Sequence, residues 1–305
     1  MTTPVTPAVL QAGFQNFNLR FNAGRKAAKT WWNKIAMRVP SGTEEEIYAW
    51  LQGLPKVRKW EGNRVKRRLG LNSYRLKNEK FEQTITIDRS KFADDKLGMF
   101  APMFAQMGRE YSKFPDHNIY PLLKNGATNL CWDGKAFFAD DHPVDPQNDA
   151  VGTYDNKHAL ALNPDNFALV YAYMQSVKAE DNEPMGITPN LLVVPPALRA
   201  MATLIVRGDF LPNTGGTAPQ TNPNKDLVDL LVIPELAGAD TTWYLLCTDS
   251  EVMPFIYQER EETGLVSRTA PDSEPVFERD EYDYGSMIRA AFGYGLPYLA
   301  AQSVG

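Results

Sequence analysis

The side chains that could do chemistry are few and scattered. There are three histidines, His117, His142 and His158, and only Asp140-Asp141-His142 sets one beside carboxylates, the makings of an acid–base pair or a metal site. The same residues run into Pro143 in a Gly- and Pro-flanked loop. There, aspartates commonly cap backbone N–H groups, so the structural reading is favoured. Cys131 and Cys247 have no base near them in sequence and read as small buried hydrophobes. Two cysteines are too few for a four-thiolate zinc site or a disulfide framework, and with no Asn-x-Ser/Thr acceptor a reduced intracellular setting is expected. Gly134-Lys135-Ala136 lacks the hydroxyl that a phosphate loop uses to hold magnesium. Gly293-Tyr294-Gly295 lacks the third glycine of a dinucleotide fingerprint, and no helix is predicted after it. Gly-x-Ser-x-Gly and His-Glu-x-x-His are both absent. No catalytic, cofactor-binding or metal-ligating residue is assigned.

The remaining chemistry is electrostatic. The 305 residues carry 32 Lys+Arg against 37 Asp+Glu, a formal charge of -5, which excludes a uniformly basic nucleic-acid coat. The distribution says more than the total. Residues 1 to 80 hold 16 Lys+Arg against five acids, whereas the other 225 residues hold 16 against 32. Residues 56 to 80 alone hold ten Lys/Arg together with Trp60 and Tyr74, which could meet phosphates and stack on bases. A nucleic-acid-binding protein using this stretch is therefore one reading, and an enzyme built on the acidic body a remoter one. The acidic surplus elsewhere favours a third, in which the basic front lies on an identical neighbour.

Residues 1 to 38 have six basic residues, no acid and no sustained period, and predict an extended arm that docks its aromatics on another chain or on the body. Val57–Leu69 and Phe81–Asp88, joined through Gly70–Ser73, predict a projecting hairpin, the second strand alternating apolar and polar residues. Asp94-Asp95 predict the start of an amphipathic helix over 96–113, with Pro102 as a fault in it. A second helix is expected from Asp116 to Gly126, with Pro121 disturbing its regularity. Further helices are expected around Phe167–Met174 and Ala197–Val206, and strands at Leu191–Val194, Leu227–Ile233, Trp243–Thr248, Phe255–Gln258 and Met287–Phe292. These make helices packed on a sheet, an α+β body. No secretory leader or membrane-spanning run is expected.

Several motifs carry a resemblance. Trp50-Leu51-x-x-Leu54-Pro55, Trp60-x-Gly62-x-Arg64, Phe81-x-x-Thr84-Ile85-x-Ile87-x-Arg89 and Asp94-Asp95-x-Leu97-Gly98 are followed by Ala101-Pro102, Met107-Gly108, Pro115-Asp116 and Leu122-Leu123-x-x-Gly126. Asp133-Gly134-x-x-Phe137-Phe138, His142-Pro143, Pro254-Phe255-Ile256-x-Gln258-x-Arg260 and Arg289-x-x-x-Gly293-Tyr294-Gly295 continue the series. The chain resembles the gpT family of Mu-like phage major head subunits, of the Hong Kong 97-type capsid fold, from about residue 33 to 298 and most densely over 50–143.

The resemblance implies an N-terminal arm (1–35), an extended β-hairpin loop with its flanks (36–92), a peripheral domain with a spine helix (93–150), an axial domain (151–250) and strands returning to the peripheral domain (251–305). It implies a non-enzymatic subunit without cofactor, forming hexamers and pentamers of an icosahedral head. Such a head would contact scaffold, portal and decoration proteins and enclose double-stranded DNA through non-specific contacts, in the virion and, during assembly, the host cytoplasm. The residues expected at inter-subunit contacts are Trp31, Trp32, Arg58, Trp60, Arg64, Arg67, Arg68 and Tyr74. The abundant lysines of the basic stretch are read as a charged face, so a shell without covalent cross-links is expected.

Overall fold

The computed structural model describes residues 6–48, 74–94, 98–145, 152–179, 182–212 and 219–305. Thr6 opens the first helix: its hydroxyl accepts the Val9 N–H, and Pro7 lies in the first turn, where its missing N–H has no intrahelical partner to lose. Helix α1 (Pro7–Ala27) therefore replaces the expected extended arm. Leu10, Phe14, Phe17, Phe21 and Gly24 recur at steps of four and three, and this stripe packs on the body. The missing sign was Gly24, a small residue continuing an aromatic stripe.

The chain then forms β1 (Ala36–Pro40), β2 (Glu45–Tyr48), β3 (Tyr74–Lys77), β4 (Glu79–Asp88), the short α2 (Arg89–Asp94) and α3 (Ala101–Asn125). Asp88 caps α2 by accepting the N–H groups of Ser90 and Lys91. The two helices expected over 96–126 are one. Pro102 lies in the first turn of α3, where it is tolerated, and Pro115 and Pro121 lie inside without ending it, because one face of the whole length (Phe104, Met107, Tyr111, Ile119, Leu123) is buried. Asp116, expected to start a helix, sits in the middle of this one.

Short strands β5 (His142–Pro143), β6 (Thr153–Tyr154) and β7 (Lys157–His158) lead to α4 (Pro164–Ser176), β8 (Leu191–Val194) and α5 (Arg199–Arg207). A small ribbon of β9 (Phe210–Leu211) and β10 (Gln220–Thr221) precedes β11 (Asp229–Val232) and β12 (Thr242–Leu246). Two 14-residue strands, β13 (Phe255–Arg268) and β14 (Glu281–Tyr294), form a hairpin with α6 (Glu274–Arg279) at its tip, and β15 (Ala300–Val304) ends the chain.

The strands make two main sheets. The first has the order β1-β13-β14-β4, with β1 parallel to β13 and the rest antiparallel. Helices α1 and α3 cover it, Phe17 stacking on Phe104 at 4.1 Å and both rings meeting Tyr284 edge-on. The helix backbones touch: a Cβ on Gly24 would come within 1.9 Å of the Ala105 carbonyl oxygen, and one on Gly108 within 2.0 Å of that of Phe21. The second sheet has the order β11-β8-β12-β15-β7, and α4 and α5 contribute Phe167, Val170, Met174, Ala202, Ile205 and Val206 to a second apolar core. β8 is buried at all four residues, as a central strand covered on both faces requires.

The expected hairpin is re-partnered. Strand β4 is formed as read, but it pairs with β14, Ile85 opposite Tyr284, and so belongs to the body. A ribbon of β2 and β3, with Glu45 opposite Lys77 and Tyr48 opposite Tyr74, flanks residues 49–73 instead. The expected Val57–Leu69 strand and its Gly70–Ser73 turn lie outside the described residues. Among the described residues, no helix is long and apolar enough to cross a membrane.

Candidate assembly interface

Three of the eight residues expected at subunit contacts lie in the described body, and all three engage their own chain. Trp31 is 8% exposed. Its backbone N–H and that of Trp32 donate to one oxygen of Asp116, at 3.1 and 2.8 Å, so the turn leaving α1 is fastened to the middle of α3. The Trp32 ring meets Tyr257 edge-on at 5.1 Å. Burial pushes the Asp116 carboxyl up to about 6, against the pull of the two tryptophan N–H groups, with Glu235 adding to the rise and His117 opposing it. Arg58, Trp60, Arg64, Arg67 and Arg68 lie outside the described residues.

Tyr74, the third, closes the root of the β2–β3 ribbon. Its hydroxyl accepts the Tyr294 N–H at 3.1 Å, and Gly293 makes room: a Cβ there would lie 2.6 Å from Leu76 and 2.8 Å from the Tyr74 hydroxyl. Close approach, and not a dinucleotide fingerprint, accounts for both glycines of Gly293-Tyr294-Gly295, since a Cβ on Gly295 would come within 2.2 Å of the Met253 carbonyl oxygen. Beside it, fully buried Gln258 ties β13 to the ribbon three ways. Its amide donates to the Leu76 carbonyl (3.1 Å) and to Asn78 Oδ1 (2.8 Å), and its Oε1 accepts the Tyr48 hydroxyl (2.7 Å). Gln258 stands in the motif Pro254-Phe255-Ile256-x-Gln258-x-Arg260, but nothing local gives it this role, since its partners are about 180 residues or more away.

His142, the histidine set beside carboxylates in the sequence, has the structural role favoured for it, but with a different aspartate. His142 Nδ1 lies 2.6 Å from Asp133 Oδ2, not against Asp140 or Asp141, and its Nε2 faces the Phe137 carbonyl at 3.2 Å. Both neighbours are acceptors, so both ring nitrogens donate when the imidazole is protonated. Cys131 donates its thiol proton to Asp133 Oδ1 at 2.9 Å, and burial pushes that thiol up. Burial also raises Asp133, but the hydrogen bonds from His142 and Cys131 outweigh it and hold the carboxyl below its usual range. Cys131, Asp133 and His142 form a ligand-type cluster. Its 2.6 Å N···O separation is nevertheless a hydrogen bond, shorter than the ~3.3 Å between ligand atoms around tetrahedral zinc. Asp141 pairs instead with Lys135.

A cleft beside the end of α1 is lined by Arg25, Trp32, Arg38, Tyr111, Glu259 and Glu262. Its arginines are already engaged, Arg25 by Glu262 at 2.6 Å and Arg38 by Glu259, so the cleft is electrically matched. The networks around Gln258, Asp116 and Asp133 thus brace the ribbon, the turn after α1 and the loop after α3 within the body.

A family model described as Mu-like prophage major head subunit gpT matches residues 10–159, 153–236 and 235–304. The chain belongs to the gpT family. Over 296 residues it is 29% identical to the major capsid protein of Escherichia phage Mu and 25% identical to the Mu-like prophage FluMu major head subunit of Haemophilus influenzae, in each case covering 97% of this chain and 73% of the relative. Among solved structures, the procapsid of bacteriophage JBD30 is similar with a TM-score of 0.61 and 27% identity, covering 99% of this chain and 76% of that one. This gpT subunit is therefore a structural capsid protein and not an enzyme, and its mixed helix-and-sheet fold is that of phage capsid proteins. In gpT terms, Asp133 and His142 brace the loop after α3, and Gln258 and Gly293 seat the ribbon that bounds residues 49–73.

Proposed function

We propose that this gpT chain is the repeating unit of a closed icosahedral head, arranged as hexamers and pentamers of a tailed, Mu-like phage and filled with double-stranded DNA. The family match along nearly the whole chain supports the reading. In this reading the sheet of β1, β13, β14 and β4 with α1 and α3 is the peripheral domain, α3 its spine helix. The sheet of β11, β8, β12, β15 and β7 with α4 and α5 is the axial domain, placed around local symmetry axes. Residues 49–73 belong to an extended loop that lies across an adjacent subunit, with Arg58, Trp60, Arg64, Arg67 and Arg68 as its contacts. Scaffold and portal proteins, and decoration proteins where present, are the partners, first in the host cytoplasm and finally in the virion.

The excess of acid over base beyond residue 80 supports a neighbour of the same kind as the receiver of the basic segment. Negative-stain microscopy of the purified chain, alone and co-expressed with the phage head proteins, tests the proposal. Closed particles are expected. A monomer that instead co-purifies with nucleic acid and releases it with salt would favour the nucleic-acid reading. Reversing charge at Arg64, Arg67 and Arg68 together is expected to abolish closed particles while leaving circular dichroism unchanged. Heads boiled in detergent are expected to release a single monomer band, since the basic face needs no covalent bond to hold a neighbour.

A further inference from the structure

Resting on the shell reading, we propose that the helical side of the first sheet layer, the outer faces of α1 and α3, is the surface turned to the packaged duplex and contacts its phosphates. The sheet of β1, β13, β14 and β4 separates two solvent faces of opposite sign. On the helix side, the first acid of the whole chain is Glu44, so α1 and the turn after it carry Arg20, Arg25, Lys26, Lys29 and Lys34 with no carboxylate among them. Helix α3 adds Arg109, Lys113 and Lys124 against Glu110 and Asp116. Both acids are engaged locally: Asp116 is buried against the backbone of Trp31 and Trp32, and Glu110 faces His117 at 3.6 Å. Among the described residues, Arg25 is the one of these eight cations held in an ion pair. Lys26 and Lys113 each follow a buried ring, Phe17 and Phe104, by nine residues, about two and a half helical turns, which sets them on the far side from the sheet. Between the cations the exposed residues of α1 include the amides Gln11, Gln15, Asn16 and Asn22, which can donate to phosphate oxygens without adding charge.

The other face of the sheet has the reverse sign. Gln83 donates to the Met107 carbonyl of α3, and Tyr284 meets Phe17 and Phe104, so alternation turns their strand neighbours Glu82 and Asp283 away from the helices. Asp88 and Glu281 face each other further along the same two strands, and Glu261 lies beside Arg289. Lys80 and Arg289 are the cations set against these five acids. A layer built into a closed wall has an inner and an outer side. Duplex DNA presents one negative charge per ~1.7 Å of axis, so packaging is electrostatically favourable with the helices inward, whereas the reverse orientation would set the acidic sheet face against phosphates. Lysines on flexible stems and amides on a helix surface suit contacts that carry no sequence information.

The test uses heads assembled from the full-length chain co-expressed with the phage head proteins, compared before packaging, filled, and after release of the DNA. Labelling by an amine-reactive reagent small enough to enter the shell is read at each lysine by mass spectrometry. In filled heads Lys26, Lys29, Lys113 and Lys124 are expected to be labelled less than in either DNA-free form by about threefold or more, with Lys80 unchanged across the three. K26Q/K29Q/K113Q/K124Q heads are expected to close normally and to lose about half or more of the formaldehyde cross-linking between subunit and DNA, which K80Q heads keep. Equal labelling of the four lysines in all three forms would overturn the proposal. So would protection already complete before packaging, which would place a protein partner on this face. Failure of the unaltered chain to form any closed particle would instead remove the shell reading beneath it.

Discussion

The two ends of the β13–β14 hairpin are built on opposite principles. At the ribbon end, buried Gln258, Tyr48 and Asn78 hydrogen-bond to one another, and Tyr74 and Gly293 pack closely beside them. At the α6 end, the largest apolar side chain, Phe277, faces solvent and the charges are unbalanced. A buried polar node is stable only when every member is satisfied, so it fixes one geometry. An exposed ring among acids does nothing for the isolated chain and becomes useful only when covered. One end sets an angle within the subunit, and the other is left for what lies beyond it.

That contrast can be broken in order of expected effect. The largest loss is expected from removing residues 1 to 32. The sequence alone left open whether this segment docks on another chain or on the body, and Phe17, Phe21 and Trp31 are buried on this chain's own body. Burying three such side chains is worth roughly 5 kcal/mol or more, so the truncated chain should melt far below the full-length one or fail to fold. A melting temperature near that of the full chain would show that α1 is not part of the closed interior.

Next comes Gln258→Leu, which leaves the Tyr48 hydroxyl, the Leu76 carbonyl and Asn78 without their shared partner. Denaturant unfolding should show a loss of about 3 kcal/mol, and particles that do form should be irregular, because the ribbon is no longer seated. Unchanged stability would mean that the closed end is not closed.

Asp116→Asn should have a smaller effect, and in the opposite direction. Burial raises the Asp116 carboxyl to about 6 from an ordinary value of 3.8, so the fold prefers it protonated. Its ionisation therefore costs stability progressively as pH rises from about 4 to 6, and the cost is complete above that window. Asn keeps an acceptor for Trp31 and Trp32, so the variant should be more stable than the native chain by about 1 to 2 kcal/mol at pH 7.5, after allowing for solvent screening, and no more stable below pH 4. Equal stability at both pH values would remove the buried charge from the account. The smallest effect, within about 0.5 kcal/mol, is expected for Phe277→Ser on the stability of the isolated chain, measured by the same unfolding curves.

How much of this was legible in the sequence depended on the range of the contacts involved. The alternation from Phe81 to Asp88, the apolar stripe from Phe104 to Tyr111 and the all-apolar run Leu191–Val194 are local patterns, and each forms the expected element. The continuity of α3 through Pro115 and Pro121 was hidden because tertiary burial, not propensity, holds it together. The pairing of β4 with β14 joins residues about 200 apart, and no short-range signal distinguishes it from a local hairpin. Gln258 was invisible as a node for the same reason. His142 was singled out correctly as unusual but paired with the wrong neighbours, since Asp133 reaches it across a turn.

The contact between α1 and α3 also divides one rod into a stiff part and a compliant part. Up to Ser112, whose hydroxyl donates to the Arg25 carbonyl, α3 is splinted by a second helix pressed directly against its backbone at Gly24 and Gly108. Beyond that point the splint ends, and the prolines at 115 and 121 cannot donate to the carbonyls of Tyr111 and His117, removing two rungs from the helical ladder. A load on the far end of α3 would therefore bend it between Tyr111 and Pro121, with the Asp116 clasp on Trp31 and Trp32 sitting at the fulcrum.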